Sequence, residues 1–268
     1  MKLLYEGWRK FLSEAEVEEG INQITNQHDG RYYAFDWDDN LLFMPTEIYF
    51  NVVEDGTTTE VGVSTHKFAE IRELIGKPGK YENYQFTEGS FRDFRVEGNL
   101  QFLKDVSSGP PVAEAWPDFV EAINTASIFA IITARGHSPE TLKEAVKILI
   151  DMNYEGIDKG KIENSLARYA ELEGKDEANT IDEYLNMCRF YPVSHGVTDG
   201  AANPEELKRK AMEDFRNYVN NLNQKLGINA ARTVKLGFSD DDRKNFELMR
   251  STFPDIKTKY TGPKRDQT

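Results

Sequence analysis

Two short acidic segments, far apart in the chain, carry the side chains best suited to chemistry. They are residues 35–41 (FDWDDNL) and 237–245 (GFSDDDRKN). Each follows a short apolar run, at residues 32–35 and 234–238, that is typical of a buried strand. Because open α/β sheets keep their ligand sites at the carboxyl ends of strands, we expect both clusters to meet at one sheet edge.

Carboxylates brought together in this way need a cation. Unit charges a few Å apart repel by roughly 4 kcal/mol at an effective dielectric constant of about 20. Oxygen ligands without His or Cys suit Mg²⁺, which binds through a few carboxylates and keeps waters that a substrate phosphate can replace. The pattern therefore predicts Mg²⁺ as the cofactor and phosphoryl transfer as the chemistry.

The composition is that of an ordinary globular protein. The chain has 268 residues, of which 39% are hydrophobic and 29% charged, and this length fits one large domain with an insertion. The formal charge of −13 disfavours polyanionic partners and favours a small phosphorylated substrate. Local basic patches, at residues 208–210 and 257–265, keep nucleic acid open as a partner.

The sequence predicts neither a membrane partner nor secretion. No apolar stretch approaches the roughly 18 to 20 residues that cross a bilayer, and residues 1–14 lack a signal-peptide apolar region. We expect the protein in the cytoplasm of the producing or host cell. Cys188 is the single cysteine, which excludes an internal disulfide and a thiolate metal cluster. Nothing in the sequence indicates an oligomeric state.

Between the acidic segments, the residue pattern predicts the elements that position them. Residues 47–53 and 58–64 flank the turn 54–56 and predict a hairpin, followed by a helix over 66–75. A helix over 117–126 precedes an apolar strand over 128–132, which ends at Thr133, and Ser138 and Pro139 then begin another helix. Further predicted elements are a strand at 190–194, helices at 203–226 and 243–252, and a strand at 256–260.

These elements predict an α/β fold, a Rossmann-like doubly wound parallel sheet with an inserted α+β cap. We expect a core formed by residues 31–41 and 117–268, with a helical insertion or extended crossover at about 153–189. The cap insertion comprises residues 42–116, because this interval is too long for a simple crossover. Residues 1–30 predict an N-terminal helical segment, packed on the domain or used for docking.

The order of these features resembles the haloacid dehalogenase superfamily of phosphohydrolases. The likeness covers nearly the whole chain outside the insertions, and it implies an enzyme that forms an aspartyl-phosphate intermediate. Asp36 looks like the family's nucleophile and Asp38 like its general acid/base. The chemistry agrees with both roles, since a carboxylate can attack phosphorus once a cation neutralises the charge, and Asp38 lies on the same side of the extended chain.

The same resemblance implies roles for residues beyond the first segment. Thr133 looks like the hydroxyl that holds the transferred phosphoryl group, with Ala134, Arg135 and Asn40 as further substrate-binding positions. Lys208 looks like the helix-borne cation, with Lys210 as the alternative. Arg135 can instead pair with the acidic cluster. The implied metal ligands are Asp36, Asp38 through its backbone carbonyl, Asp240 and Asp241.

Three features depart from the family pattern. Asp39 stands where the commonest members have Gly, and Asn40 where they have Thr. The run Asp240-Asp241-Asp242 replaces a Gly-Asp pair, so the choice of two metal carboxylates stays open and Asp242 can serve as a helix N-cap. The interval from Thr133 to Lys208 is also long.

Several questions of function remain open in the sequence. Residues 12–14 (LSE) resemble the Leu-x-Glu cleavage sequence of some tailed-phage capsid-associated proteins, which suggests a phage origin. The substrate class can be a nucleotide or a sugar phosphate. The alternatives are a virion-associated or binding protein that keeps the fold with little activity, or a nucleic-acid end phosphatase. Aromatic residues of the cap can line a substrate pocket or form the cap core: Tyr49, Phe50, Tyr81, Tyr84, Phe86, Phe91 and Phe94.

Overall fold

The computed structural model describes residues 31–172, 176–197, 203–225 and 235–263. The N-terminal segment at 1–30, with its LSE sequence, lies outside the described residues. The strands are β1 (Arg31–Phe35), β2 (Glu47–Glu54), β3 (Thr57–Ser64), β4 (Tyr84–Gln85), β5 (Phe129–Thr133), β6 (Arg189–Pro192), β7 (Lys235–Asp240) and β8 (Lys257–Tyr260). The helices are α1 (Thr65–Ile71), α2 (Asn99–Ser107), α3 (Trp116–Asn124), α4 (Pro139–Asp151), α5 (Lys159–Leu172), α6 (Ile181–Met187), α7 (Pro204–Lys225) and α8 (Arg243–Thr252).

The main sheet has five parallel strands in the order β6-β5-β1-β7-β8. In chain order the sheet begins with the central strand β1, continues outward through β5 and β6, and then crosses to the other side for β7 and β8. This reversal makes the carboxyl end of β1 a topological switch point, where ligands bind in open α/β sheets. The expected α/β architecture with a parallel sheet is therefore confirmed.

Both faces of this sheet are covered by helices, which explains the continuous apolar strands. All five residues of β5 are buried, and their side chains alternate between two cores. Phe129 and Ile131 face a core that includes residues of α2 to α6, whereas Ala130 and Ile132 face a core formed with α7 and α8. The doubly covered sheet is compatible with a Rossmann-like fold.

A second, three-stranded antiparallel sheet has the order β3-β2-β4 and lies between β1 and β5 in the sequence. The predicted hairpin is confirmed: Asp55 and Gly56 at its turn have φ of 48° and 74°, the left-handed region that this turn requires. Ser64 caps α1, which ends at Ile71, so the helix expected over 66–75 is shorter than predicted. This segment has its own core, centred on Ile48, Phe50 and Ile71.

The described residues of the interval 153–189, which are 153–172 and 176–189, belong to the crossover between α4 and β6. Residues of α5 and α6, including Ile162, Leu166 and Tyr184, join the larger core of the main sheet. A capping box formed by Thr180 and Glu183 fixes the start of α6. Among the helices that the structure describes, none combines the length and apolarity that crossing a bilayer requires.

Candidate functional site

The two acidic segments meet at the switch point, as the sequence predicts. Phe35 pairs with Ser239 in the parallel register of β1 and β7, and the amide of Asp36 donates to the Ser239 carbonyl over 3.0 Å. Asp36 therefore follows β1 beside Asp240, the last residue of β7. Strand pairing alone thus places two carboxylates side by side.

Lys208 lies between these carboxylates and neutralises part of their charge. Its Nζ lies 2.9 Å from Asp36 Oδ2 and 2.8 Å from Asp240 Oδ2, and the residue is only 2% exposed. Burial alone would lower its pKa, but Asp240 and Asp36 outweigh that effect and raise the pKa above its usual value. Lys210 is exposed. The structure thus places Lys208, rather than Lys210, in the acidic site.

Asp36 has one oxygen satisfied and the other bare. Its Oδ1 is buried and makes no hydrogen bond with the residues that the structure describes. Burial, with smaller contributions from Asp240 and Asp38, raises the pKa of Asp36 to about 8, against the lowering effect of Lys208. Buried polar atoms nearly always have a partner, so a bare carboxylate oxygen marks a place for a cation or a ligand.

Asp240 and Asp241 complete the acidic group. Asp240 is fully buried and accepts hydrogen bonds from Asn245 Nδ2 and from the amide of Asp242. Asp241 is half-buried, and burial followed by the charges of Asp240 and Asp36 raises its pKa to about 9. One oxygen from each of Asp36, Asp240 and Asp241 lies within 4.8 Å of the others, an arrangement that fits a hard divalent cation.

Asp242 has a different role from its neighbours. Its Oδ1 accepts from the amide of Lys244 over 2.8 Å and caps α8, while its Oδ2 lies 2.8 Å from Arg72 Nη2. The uncertainty left by three consecutive aspartates is therefore resolved by geometry: Asp240 and Asp241 face Asp36, and Asp242 is the N-cap.

Asp38 is held by Arg135 in a bidentate ion pair. Arg135 Nε and Nη2 donate to the Asp38 carboxylate over 2.8 and 2.6 Å, and the guanidinium is fully buried. Its guanidinium also makes hydrogen bonds with Thr46 Oγ1 and His137 Nε2, so four of its five N–H groups are used. Arg135 thus takes the structural alternative expected from sequence, although it also lines the cavity described below.

His137 extends this network away from the sheet edge. Burial, followed by the charge of Arg135, lowers its pKa to about 3, so the ring is neutral at physiological pH. Nε2 therefore accepts from Arg135 Nη1 over 3.1 Å, and Nδ1 carries the proton and donates to Asn99 Oδ1 over 2.9 Å. The ring stacks on Phe102 at 4.5 Å. Arg135, His137 and Asn99 thus form a chain of hydrogen bonds that holds the Asp38 carboxylate in place.

Asn40 does not bind substrate in this geometry. It is fully buried, and its Nδ2 donates to the Asp36 carbonyl over 2.9 Å and to Ser239 Oγ over 3.0 Å, while its Oδ1 accepts from Thr261 Oγ1 over 2.7 Å. The expectation that Asn40 contacts substrate is corrected, because all its polar atoms join the ends of β1, β7 and β8.

Thr133 and Ala134 line the cavity at the end of β5, as expected for a phosphate-holding turn. Thr133 is buried, and its Oγ1 accepts from the amide of Arg135 over 3.3 Å. Gly136 follows, where an added Cβ would lie 3.0 Å from the Ser194 carbonyl oxygen. The amide of Gly136 donates to the Phe94 carbonyl over 2.7 Å, which joins this turn to the inserted segment.

Asp39 has a backbone conformation that favours Gly. Its φ is 55°, a left-handed conformation in which Gly is the usual residue and Asp is tolerated. Burial raises its pKa to about 6, with a further contribution from Asp38, while a hydrogen bond with the side chain of Thr65 lowers it. Asp39 therefore points toward the start of α1 and contacts the inserted segment, a role that the sequence pattern did not indicate.

A cavity of about 660 Å³ opens between the acidic site and the inserted segment. Asp36, Asp38, Asp241 and Lys208 line one side of it. Apolar residues of the insertion also line it: Ile48, Phe68, Phe86, Phe91 and Phe94. This volume lies within the range of small-molecule sites and exceeds what a phosphate group alone would fill.

We expect Asn40→Ala to destabilise the protein by about 2–4 kcal/mol, because it leaves buried polar groups on three strand ends without partners. Urea unfolding at neutral pH measures this loss. Asn217→Ala, at an exposed position of α7, is the matched control and should change the unfolding free energy by less than about 1 kcal/mol. Equal effects of the two substitutions would contradict the assigned role of Asn40.

A second prediction concerns pH and Mg²⁺. The pKa values of Asp36 and Asp241 are raised on folding, so the folded state binds more protons, and stability without metal falls as pH rises from about 4 toward 9. Mg²⁺ replaces those protons and should raise Tm by roughly 5–10 °C at hundred-fold saturation, more at pH 9 than at pH 6.

The measurement for this prediction is thermal unfolding with Mg²⁺ and with chelator at both pH values. Asp241→Asn should remove most of the Mg²⁺ effect. Asp55→Asn, the same substitution at the exposed hairpin turn, should retain it. A Mg²⁺ effect that is unchanged in Asp241→Asn would mean that the ion binds elsewhere.

Comparison with known proteins identifies no relative of this chain. No protein-family description matches the sequence, and no curated protein and no solved structure is similar to it above the threshold of significance. The interpretation of the site therefore depends on its side chains, their distances and their charges.

Proposed function

We propose that the protein is a Mg²⁺-dependent phosphomonoester hydrolase of the haloacid dehalogenase type, acting on a small phosphorylated substrate. The observation that carries this proposal is the state of Asp36. One of its oxygens is held by Lys208, and the other is buried beside Asp240 and Asp241 with no hydrogen-bond partner in the described part of the chain. A carboxylate that attacks phosphorus needs a fixed position and one oxygen that makes no hydrogen bond.

In the proposed reaction, a carboxylate oxygen of Asp36 attacks phosphorus, and the bond from phosphorus to the leaving oxygen breaks. Asp38 supplies a proton to that oxygen, and later takes a proton from the water that hydrolyses the aspartyl-phosphate. Lys208 and the turn at Thr133 stabilise the negative charge that develops on the phosphoryl oxygens. Mg²⁺, held by Asp36, Asp240 and Asp241, would supply charge neutralisation and orient the phosphoryl group.

A second candidate is a protein that binds a cation and a phosphorylated ligand without turnover. The pairing of Asp38 favours it, because both carboxylate oxygens of Asp38 are committed to Arg135. Catalysis requires Asp38 to exchange at least one of these contacts for the leaving oxygen. A nucleic-acid end phosphatase fits less well, because the formal charge of −13 disfavours a polyanionic substrate.

The decisive experiment is hydrolysis of a panel of nucleoside monophosphates and sugar phosphates, with Mg²⁺ and with chelator. We expect Mg²⁺-dependent turnover that falls at least about 10³-fold in Asp36→Asn, since the amide cannot act as the nucleophile. Asp55→Asn serves as the matched control and should retain turnover. A folded protein that binds Mg²⁺ but turns over no member of the panel would favour the binding role.

Lys208 and Lys210 provide a matched pair on one helix. Lys208→Gln should lower kcat about 10²- to 10³-fold, because it removes a buried cation that stabilises developing negative charge. Lys210→Gln, two residues away and exposed, should leave kcat within about two-fold of wild type. Steady-state kinetics on the best substrate, with circular dichroism to verify folding, makes the comparison. Similar kcat values for the two variants would remove Lys208 from the mechanism.

A further inference from the structure

The cavity has an aromatic wall that the proposed reaction does not use. Phe86 stacks on Phe91 with ring centroids 5.9 Å apart and an angle of 17° between the rings. Phe68 meets both rings edge-on, at 6.2 Å from Phe86 and 5.8 Å from Phe91. Together with Phe94, these phenylalanines line the same cavity as the acidic site.

Phe86 is half exposed although it is a large apolar residue. Its exposed fraction is 50%, whereas Phe50, whose ring centroid is 5.0 Å away, is fully buried in the core of the insertion. That core therefore includes Phe50 and leaves half of Phe86 uncovered. Phe43 is comparably exposed at 45%, but it does not line the cavity. Phe86 lines the cavity, so a ligand bound there would contact it.

The aromatic residues form a connected path from the acidic site to Phe86. The guanidinium of Arg135, which holds Asp38, lies 4.6 Å from the ring of Phe94. Phe94 contacts Phe91 at 6.3 Å, and Phe91 contacts Phe86 at 5.9 Å. Phe86 is thus separated from the residues that hold Asp38 by two intervening rings, which leaves room for a spacer between a bound phosphoryl group and a group that contacts Phe86.

We propose that Phe86 is a stacking platform for a planar aromatic group of the substrate, so that the protein acts on phosphoesters that carry such a ring. This inference rests on the proposed function and names its substrate class. The side chains of Ile48, Phe68, Phe86 and Phe91 offer no hydrogen-bond donor or acceptor, so this wall matches a π-face better than the hydroxyl groups of a sugar phosphate.

The shared chemistry has two sources, which differ in the position of the ring. In a nucleoside monophosphate a sugar separates the ring from phosphorus, and in an aryl phosphate the ring is attached to the phosphate oxygen. The path through Phe94 and Phe91 favours the spaced arrangement. Base stacking on an aromatic side chain corresponds to an effect of roughly 5- to 150-fold on affinity when the side chain is removed.

The test compares kcat/KM for adenosine 5′-monophosphate, phenyl phosphate and glycerol 3-phosphate in wild type, Phe86→Ala, Phe86→Trp and the control Phe43→Ala. We expect Phe86→Ala to lower kcat/KM for adenosine 5′-monophosphate about 10-fold or more, mainly through a higher KM. Glycerol 3-phosphate should change less than about two-fold, and Phe86→Trp should retain the activity on the nucleotide. Phe43→Ala should match wild type on all three substrates.

The outcomes distinguish a nucleotide from an aryl ester, and both from a result that contradicts the proposal. A selective loss on adenosine 5′-monophosphate identifies the spaced ring of a nucleotide, and a selective loss on phenyl phosphate identifies an aryl ester. Either result supports the platform. An equal loss on all three substrates, or no loss on any of them, overturns it.

A binding measurement keeps this inference distinct from the proposed function. Calorimetry of adenosine 5′-monophosphate with Mg²⁺, in the Asp36→Asn background, compares Phe86 with Phe86→Ala. Absence of turnover by wild type on every substrate would defeat the hydrolase proposal alone, while weaker binding in Phe86→Ala would still support the platform. Binding of the nucleotide that is absent, or equal in the two variants, overturns the platform whether or not the protein is a hydrolase.

Discussion

The main physical constraint on this structure is the repulsion among three carboxylates, those of Asp36, Asp240 and Asp241, which lie close together at one edge of the sheet. Parallel pairing of β1 with β7 brings Asp36 beside Asp240, and Lys208 is the cation that reaches both. That single charge is insufficient, as the raised pKa values of Asp36 and Asp241 indicate. A buried charge without compensation is costly, so the fold is stable at neutral pH by retaining protons or by binding a cation.

Helix α7 positions the Lys208 ammonium by packing its apolar face against the sheet. Ala211, Met212, Phe215 and Val219 pack in the same core as residues of β1, β5 and β7, which fixes the helix against the sheet. Lys208 lies one turn before this face, and its Nζ therefore reaches the end of the sheet. Because Lys208 is only three to four residues from Ala211 and Met212, the packing of the helix also restricts the position of the Lys208 ammonium.

Local signals in the sequence were sufficient for the elements and for much of the site. The apolar run of β5, the Ser138 cap of α4 and the helix Arg243–Thr252 each follow from neighbouring residues, and the structure confirms them. The roles of Asn40, Arg135 and Phe86 could not be decided from their neighbours in the sequence. Their partners lie far along the chain, as in the contacts of Asn40 with Ser239 and Thr261, and no local pattern records such pairings.

Two of the acidic residues beside the site attach the inserted segment. Asp39 and Asp242, which stand in the altered turns, contact Thr65 and Arg72 of that segment. The pair between Lys244 and Glu73 is exposed and contributes little, whereas the pair between Arg72 and Asp242 is more buried. Acidic residues around the site thus divide into those that face a cation and those that hold the insertion over it.

Arg135 joins these two functions in one side chain. Its guanidinium holds Asp38 on one edge, and it lies between the rings of Phe94 and Phe102 at 4.6 and 4.7 Å. Phe94 belongs to the aromatic path toward Phe86, and its carbonyl accepts from Gly136 beside the end of β5. Any movement of the insertion that displaces Phe94 therefore acts on Arg135, and through it on Asp38. A continuous series of contacts thus joins Phe86 and Phe91 of the insertion to Phe94, Arg135 and Asp38 at the acidic site.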